Sequence, residues 1–223
     1  MKPTELLEAV LNYSEYEKGA EFSASDILSE PLRVKLKLKH PKLDDVKAVD
    51  KVASFVGSGF HILAQNAIDT ENEFSDTGIR TEVKLKFRNL SGTADVIFPD
   101  GTIGDYKTSK EATLKKTISN PIKWCEQLSI YSYLNHKQNK VPMQTVGYIF
   151  WISVDTRKFG TLKVELLTKE QTIELIKNFL KEMEVPIKDT AKCKDCSWLW
   201  KWCGSRSKCE YYTTDDVSSI EEW

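Results

Sequence analysis

The chain has 223 residues, of which 40% are hydrophobic and 29% are charged. These fractions are ordinary for a soluble globular protein, so they exclude general disorder and predict one large domain or one domain with a small appendage. The 32 basic and 33 acidic residues nearly cancel, which excludes a histone-like polycation and restricts any nucleic-acid site to a local patch.

Helical spacing of apolar residues dominates the first third of the chain. We predict a helix over residues 4–17, a helix start at Ser23–Asp26 and a long helix over residues 44–68. Gly57 and Gly59 interrupt the long helix, and a helix that keeps two glycines usually has a packing or functional reason for them.

The period changes to two after residue 79, which indicates strands. We predict strands from residue 79 to 88, over 93–98, 102–107, 143–155 and 160–167, and helices from Asn120 to about residue 136 and over 170–185. Pro99–Gly101 forms a turn, because proline presets its backbone angle and glycine accepts a positive one. This order predicts an α/β fold with a mixed central sheet flanked by helices.

The hairpin around this turn carries three residues that favour metal chemistry. A three-residue loop aligns Asp95 with Asp105 across the hairpin, where directly opposed Cβ atoms lie about 4.5–5.5 Å apart. Lys107 lies two residues past Asp105 and therefore on the same face. Opposed carboxylates repel each other unless a cation lies between them, so we interpret the trio as a site of metal-assisted phosphodiester hydrolysis. An Asp–Lys surface pair on an edge strand is the alternative.

Four motifs in this order resemble those of the PD-(D/E)XK nuclease superfamily, in particular its RecB-like exonuclease branch, which phages often encode. They are Gly57-x-x-x-His61, Gly92-x-x-Asp95, Asp105-Tyr-Lys107-Thr108 and Gln127-x-x-x-Tyr131, and the resemblance covers roughly residues 23–134. The resemblance implies a restriction-endonuclease-like core that binds Mg²⁺ or Mn²⁺. It further implies roles for single residues: Asp95, Asp105 and Lys107 in catalysis, His61, Asp95 and Asp105 as metal ligands, and Gln127 and Tyr131 in substrate binding.

Three of these positions have ordinary structural alternatives. A histidine that lies alone on a helix is often a core residue whose hydrogen bonds are satisfied, and this is the alternative for His61. Gln127 and Tyr131 share a helix face, so a buried pair that satisfies its own hydrogen bonds is the alternative to substrate contact. Glu82 is a further candidate carboxylate on the neighbouring strand, with a solvated strand face as its alternative.

The predicted function is a metal-dependent deoxyribonuclease, an exonuclease of DNA processing, recombination or repair. The predicted partner is DNA, with a preference for single strands or free ends, and residues 80–123 carry nine basic against five acidic residues. The alternatives are a non-catalytic DNA-binding or recombination module that keeps the fold, and an endonuclease of the same superfamily. No membrane partner is expected, because the longest apolar run spans only residues 146–154. We expect a cytoplasmic protein, in the host cytoplasm if a phage encodes it, and no protein partner is predicted.

The end of the chain is rich in cysteine. Cys193, Cys196, Cys203 and Cys209 fall within seventeen residues, a density that can hold Zn²⁺ or a [4Fe–4S] cluster. Many relatives with this fold carry a [4Fe–4S] cluster, but one of their ligands usually precedes the nuclease core, and no cysteine does so here. The resemblance favours a [4Fe–4S] cluster, with Zn²⁺ or no metal as the alternatives. We predict a nuclease domain with an N-terminal helical region over residues 1–188 and a cysteine-rich module with an acidic tail over residues 189–223.

Overall fold

The computed structural model describes residues 21–41, 51–193 and 203–211. The chain divides into two compact units, of which one contains residues 29–41, 51–52, 177–193 and 203–211 among those described. The other unit, which we call the sheet unit, contains residues 21–28 and 53–176. All seven candidate nuclease residues lie in the sheet unit. The predicted helix over residues 4–17 lies outside the described residues, and the predicted boundary at residue 188 stays a prediction.

Groups of helices alternate with groups of strands along the chain, as the sequence predicts. The helices are α1 (Ala24–Ile27), α2 (Pro31–Lys39), α3 (Val52–Ser75), α4 (Glu111–Ser119), α5 (Ile122–Asn139) and α6 (Lys169–Glu184), with 3₁₀ turns at Ile187–Asp189 and Arg206–Lys208. The strands are β1 (Phe22–Ser23), β2 (Arg80–Phe87), β3 (Leu90–Ile97), β4 (Ile103–Ser109), β5 (Val146–Ser153) and β6 (Phe159–Glu165). The predicted α/β fold with a mixed sheet and flanking helices is confirmed. Two short elements, β1 and α4, are not among the predicted ones.

The six strands form one mixed sheet in which β3 has three partners. It pairs antiparallel with β2 along one edge, and along the other edge with β1 in parallel and with β4 antiparallel. The sheet continues through β5, parallel to β4, to β6, antiparallel to β5. Parallel neighbours need a crossover connection, and α4 and α5 supply it between β4 and β5.

Helix α5 packs across strands β2 to β5 and forms the centre of the apolar core. Its Leu128, Ile130 and Leu134 are 0% exposed, and each such buried side chain contributes about 1.5–3 kcal/mol of hydrophobic stabilisation. Two buried hydroxyls anchor the helix further: Ser129 Oγ accepts a hydrogen bond from Leu167 N at 2.9 Å, and Ser132 Oγ accepts one from Gln144 N at 2.8 Å. These contacts fix the helix that carries Gln127 and Tyr131 onto the sheet.

Local capping explains where α1 begins. Ser23 Oγ accepts a hydrogen bond from Asp26 N, and Asp26 Oδ2 accepts one from Ser23 N at 2.8 Å. This reciprocal arrangement satisfies two backbone donors at the helix start, as the Ser–x–x–Asp spacing predicts. In the described ranges, no helix combines the length and apolarity needed to cross a membrane.

Candidate active site

The β3–β4 hairpin brings the two predicted aspartates to opposed positions. Phe98 N donates to Thr102 O and Gly101 N donates to Phe98 O, each at 2.9 Å, which closes the three-residue loop. Ile97 pairs with Ile103 and Val96 with Gly104, so the predicted register is confirmed on the turn side. The pairing ends there, and Asp95 Oδ2 accepts a hydrogen bond from Tyr106 N at 2.7 Å. The Asp95 carboxylate thus contacts the β4 backbone beside Asp105.

Glu82 approaches Asp95 from the other side of β3. The pairs Thr81–Val96 and Val83–Ala94 flank it and place it opposite Asp95 in the register. Its φ is +46°, a left-handed backbone that is uncommon for a residue other than glycine, and it interrupts the regular strand at this point. The sequence offers Glu82 only as a further candidate, because nothing local to residues 80–87 indicates this conformation.

Three groups that can bind a metal meet at this interruption. His61, Glu82 and Asp95 each offer a ligand atom, and these atoms lie within 4.8 Å of one another. His61 Nδ1 is 3.6 Å from Asp95 Oδ2 and 3.9 Å from Glu82 Oε1. Within the described ranges this is the one such group of three, and it combines a nitrogen with two hard oxygen donors. The group includes two of the three ligands predicted from the sequence, with Glu82 in the place of Asp105.

Asp105 and Lys107 form an ion pair next to this group, in which the aspartate is buried and the lysine half-buried. Asp105 is 2% exposed, and its Oδ2 lies 2.6 Å from Lys107 Nζ. No described hydrogen bond reaches this oxygen, so the lysine ammonium is its charge partner. Lys107 Nζ also donates to Gln127 Oε1 at 3.1 Å, and Gln127 Nε2 donates to the Tyr131 hydroxyl at 2.9 Å. A continuous polar chain therefore runs from the second aspartate to helix α5.

The Gln127–Tyr131 pair combines both interpretations that the sequence allows. Tyr131 is 6% exposed and bonds to Gln127, as a self-satisfied pair would. Gln127 also reaches the Lys107 ammonium, which places the pair in the site. The structure thus puts both residues behind the lysine, and their predicted contact with substrate stays a prediction.

Burial and like charges shift the titration of the site. Burial, followed by the charge of Asp105, raises the pKa of Asp95 to about 7. The Glu82 carboxylate raises the pKa of His61, and Asp95 and Asp105 act in the same direction. Burial raises the pKa of Tyr106 to about 12, so its hydroxyl stays neutral. Three carboxylates that repel one another in a confined space are stabilised by a proton or by a cation.

Two of the three candidate metal ligands, His61 and Glu82, line an open cleft of about 790 Å³ together with Lys107. One face of α3 and the strand residues of the site form its walls; the residues are Ser54, Gly57, Ser58, His61, Ile62, Gln65, Glu82, Tyr106, Lys107 and Thr108. The Tyr106 ring lies edge-on to His61 and to Phe60, with centroid distances of 5.6 and 5.5 Å. These ring contacts fix the position of the histidine over the strands.

The glycines of two motifs have packing roles. A Cβ at Gly57 would lie 3.0 Å from Thr108 Oγ1, so the missing side chain lets α3 approach β4 closely, one turn before His61. A Cβ at Gly92 would lie 2.7 Å from the Tyr131 ring, which occupies that space. Gly59 has no atom within 4 Å of such a Cβ, so packing does not require glycine there.

The cysteine cluster is described only in part. Cys193, Cys203 and Cys209 are half-buried, form no disulfide and are not gathered into a ligand group in the described ranges. Cys196 lies outside the described residues. The four-cysteine metal site and the cysteine-rich module therefore stay predictions.

Comparison with known proteins gives two kinds of match. A family model of the PD-(D/E)XK nuclease superfamily matches residues 7–204. The fold is similar to the crystal structure of SSO0001, with 18% identity, a TM-score of 0.60 and coverage of 96% of this chain and 98% of that one. Weaker likenesses are to an alkaline exonuclease (LHK-Exo) from Laribacter hongkongensis, with 11% identity and a TM-score of 0.48, and to LHK-Exo in complex with dAMP, with 15% identity and a TM-score of 0.49. Both cover 83% of this chain and 94% of that one. None of the curated proteins compared with the chain matches it.

Proposed function

Because the chain belongs to the PD-(D/E)XK nuclease superfamily, we propose that it is a Mg²⁺- or Mn²⁺-dependent deoxyribonuclease that acts as an exonuclease. One observation carries this proposal: His61, Glu82 and Asp95 converge beside the Asp105–Lys107 ion pair, and His61, Glu82 and Lys107 line an open cleft. A fold that only binds DNA gains nothing from three mutually repelling carboxylates. Repulsion among these carboxylates lowers the free energy of unfolding, and a bound cation would offset that loss.

The donor set fits a hard divalent cation. His61, Asp95 and Asp105 are the proposed ligands, and the position of Glu82 adds it to the set. Burial, followed by the charge of Asp105, raises the pKa of Asp95, and a divalent ion would stabilise the ionised carboxylates. When bound, such an ion polarises a phosphoryl oxygen and lowers the pKa of a water molecule.

Lys107 is the proposed catalytic cation of the chain itself. Asp105 and Gln127 hold its ammonium from two sides, at 2.6 and 3.1 Å, so its position in the cleft wall is fixed before substrate arrives. A preorganised ammonium can orient the attacking water and stabilise the negative charge that develops on the phosphate. Gln127 and Tyr131 support this position through the hydrogen bonds that join Tyr131 to Gln127 and Gln127 to Lys107.

DNA as substrate and attack at chain ends are the finer parts of the proposal. The basic excess of residues 80–123 favours a nucleic-acid strand beside the site. The exonuclease assignment rests on the resemblance of Gln127-x-x-x-Tyr131 to the RecB-like motif. Roles in recombination or repair rest on the same resemblance.

We also propose that Cys193, Cys196, Cys203 and Cys209 hold a metal, in the first place a [4Fe–4S] cluster and alternatively Zn²⁺. The support is their spacing in the sequence. Their distance in sequence from the nuclease residues implies a structural role for such a metal.

A substrate panel tests the nuclease proposal. Purified full-length protein is incubated with Mg²⁺ or Mn²⁺ and with linear and circular forms of single- and double-stranded DNA. We expect mononucleotides or short products from linear substrates, intact circles, and no reaction in EDTA. Cleavage of circles would replace the exonuclease assignment by an endonuclease, and binding without any cleavage would identify a non-catalytic module.

A further inference from the structure

The turn between β5 and β6 presents an uncovered aromatic ring close to the cleft. Phe159 is 80% exposed, and Val154 at the other end of the turn is 50% exposed. Both lie in the sheet unit with the candidate active site. The function proposed above does not use either residue.

Strand register places Phe159 on the same face of the sheet as Tyr106 and Thr108, two strand residues that line the cleft, whereas the intervening Lys107 starts from the other face. Thr108 lines the cleft and pairs with Ile152 in β5, and Ile152 pairs with Phe159 in β6. Residues paired across neighbouring strands project from the same face. Because neighbouring strands are about 4.8 Å apart, the Phe159 backbone lies about 10 Å from that of Thr108.

Hydrogen bonds within the turn hold it in one conformation. Ser153 Oγ donates to Asp155 Oδ1 at 2.6 Å, and Ser153 N donates to Lys158 O at 2.7 Å. The turn is also bound to α4, because Glu111 N donates to Asp155 Oδ1 at 2.9 Å and Lys158 Nζ lies 2.7 Å from Glu111 Oε1. Phe159 therefore extends from a preorganised scaffold, so a ligand would not have to order a loop.

The charges around the ring favour a polyanion. Glu111 is compensated by Lys115 at 3.1 Å and by Lys158. Lys110, Lys116 and Arg157 are exposed, and no described carboxylate pairs with them. Residues 110–116 and 154–158 carry five basic and two acidic residues in all. This positive balance, together with an exposed flat ring, matches a nucleic-acid strand, which offers phosphates and flat bases together.

We propose that Phe159 stacks on a base of the substrate strand, two or three nucleotides from the phosphodiester that is cut. This inference rests on the proposed nuclease function, and it adds a base-binding position outside the catalytic cleft. The distance follows from the roughly 10 Å between Phe159 and the cleft wall and a rise of about 3.4 Å per nucleotide.

Fluorescence anisotropy with a labelled single-stranded oligonucleotide, in EDTA so that no strand is cut, tests the proposal. Phe159→Ala should weaken binding about 5- to 100-fold, the range expected for the loss of one base-stacking contact. Phe159→Trp should retain the affinity of the wild type. Phe74→Ala is the matched control, because Phe74 is 82% exposed at the end of α3 and should not affect binding.

An abasic nucleotide locates the contact. The abasic nucleotide is placed at successive positions from the end of the strand. At one or two positions it should weaken binding by the wild type, and at those positions it should not change binding by Phe159→Ala. Equal affinity of Phe159→Ala and wild type would overturn the inference and leave the nuclease proposal intact. A wild type that binds no oligonucleotide in EDTA would overturn the inference, and the substrate panel decides the nuclease proposal separately. The inference would also be overturned if Phe159→Ala left the DNA affinity unchanged but dissociated a homodimer that the wild type forms. The ring would then contact a second copy of the chain.

Discussion

The contacts of Lys107 show what a sequence motif specifies and what it leaves open. The spacing Asp105-x-Lys107 predicts that the two side chains share a face, and the structure joins them at 2.6 Å. The second contact of the ammonium, to Gln127 Oε1 at 3.1 Å, depends on how α5 docks on the sheet. Sequence spacing places Gln127 and Tyr131 on one helix face but cannot show what that face meets. We therefore infer that both act on the reaction through Lys107.

Substitutions along this polar chain should have graded effects. Lys107→Ala should lower the cleavage rate about 100- to 1,000-fold, as loss of an electrostatic stabiliser does. Tyr131→Phe keeps the ring against Gly92 and loses one hydrogen bond, so the rate should fall less than about tenfold. Tyr133→Phe on the same helix is the control. A Tyr131→Phe variant as inactive as Lys107→Ala would instead assign the hydroxyl to direct substrate contact.

Asp95 should destabilise the metal-free protein at neutral and higher pH. Its pKa is raised from 3.8 to about 7, so the folded state binds more protons than the unfolded state between these values. The free energy of unfolding of the metal-free protein therefore falls as the pH rises from about 4 to 7. Above pH 7 the destabilisation by ionised Asp95 is complete and stays constant. Asp95→Asn keeps the hydrogen-bond acceptor for Tyr106 N and removes the charge.

Thermal melting in EDTA measures this penalty. Asp95→Asn should be more stable than the wild type by about 1–3 kcal/mol at pH 8, with a smaller gain at pH 5. Asp189→Asn, at an exposed position, should leave the difference between the two pH values unchanged. A loss of stability in Asp95→Asn at pH 8 would contradict the repulsion that we describe.

At the scale of elements, the site depends on how closely α3 approaches β4. Gly57 permits that approach and Gly59 has open space around it, although the sequence presents them as equivalent interruptions. The hairpin turn at Pro99–Gly101 is predictable because its chemistry is local. Strand β1 has only two residues, and α4 buries only Leu114, so neither shows a period that predicts it. The positive φ of Glu82 is likewise invisible in the sequence, since it arises within the assembled sheet.

Alanine substitutions at Gly57 and Gly59 distinguish the effect of close packing against β4 from the effect of helix propensity. Gly59→Ala should stabilise the protein by about 0.5–1 kcal/mol, because alanine restricts the unfolded chain. Gly57→Ala should destabilise it by about 1–3 kcal/mol, since its Cβ crowds Thr108 Oγ1. The shift of α3 should also weaken Mn²⁺ binding through His61. Urea unfolding and Mn²⁺ titration measure both effects, and equal stabilisation by the two variants would refute the proposed close contact.

In the whole molecule the net charge is only −1, although acidic and basic side chains are concentrated in different places. Acidic groups converge in the cleft, and uncompensated cations lie on the neighbouring α4 and β5–β6 turn, where a polyanionic substrate would run. The motif order and the period of the strands are sufficient to predict the fold class. The end of the chain is less predictable, because cysteine spacing alone does not distinguish iron from zinc or from packing.

Metal analysis of protein purified without oxygen tests the proposed cysteine metal site near the end of the chain. We expect about four irons per chain and broad visible absorption, both lost in Cys203→Ser, whereas Cys125→Ser should retain them. About one zinc per chain would support the alternative site. Protein with neither metal would show that the cysteines do not form a metal site.

We expect the cleft of the sheet unit to hydrolyse DNA with a divalent cation that its acidic residues hold. The most direct measurement is the initial rate of nucleotide release from linear DNA in Mn²⁺, for the wild type and for Asp105→Asn, with circular dichroism to confirm that both are folded. We predict metal-dependent release by the wild type and a rate at least about 100-fold lower for the folded variant. An equal rate for the two proteins, or a folded wild type that releases nothing in Mn²⁺ or Mg²⁺, would contradict the account.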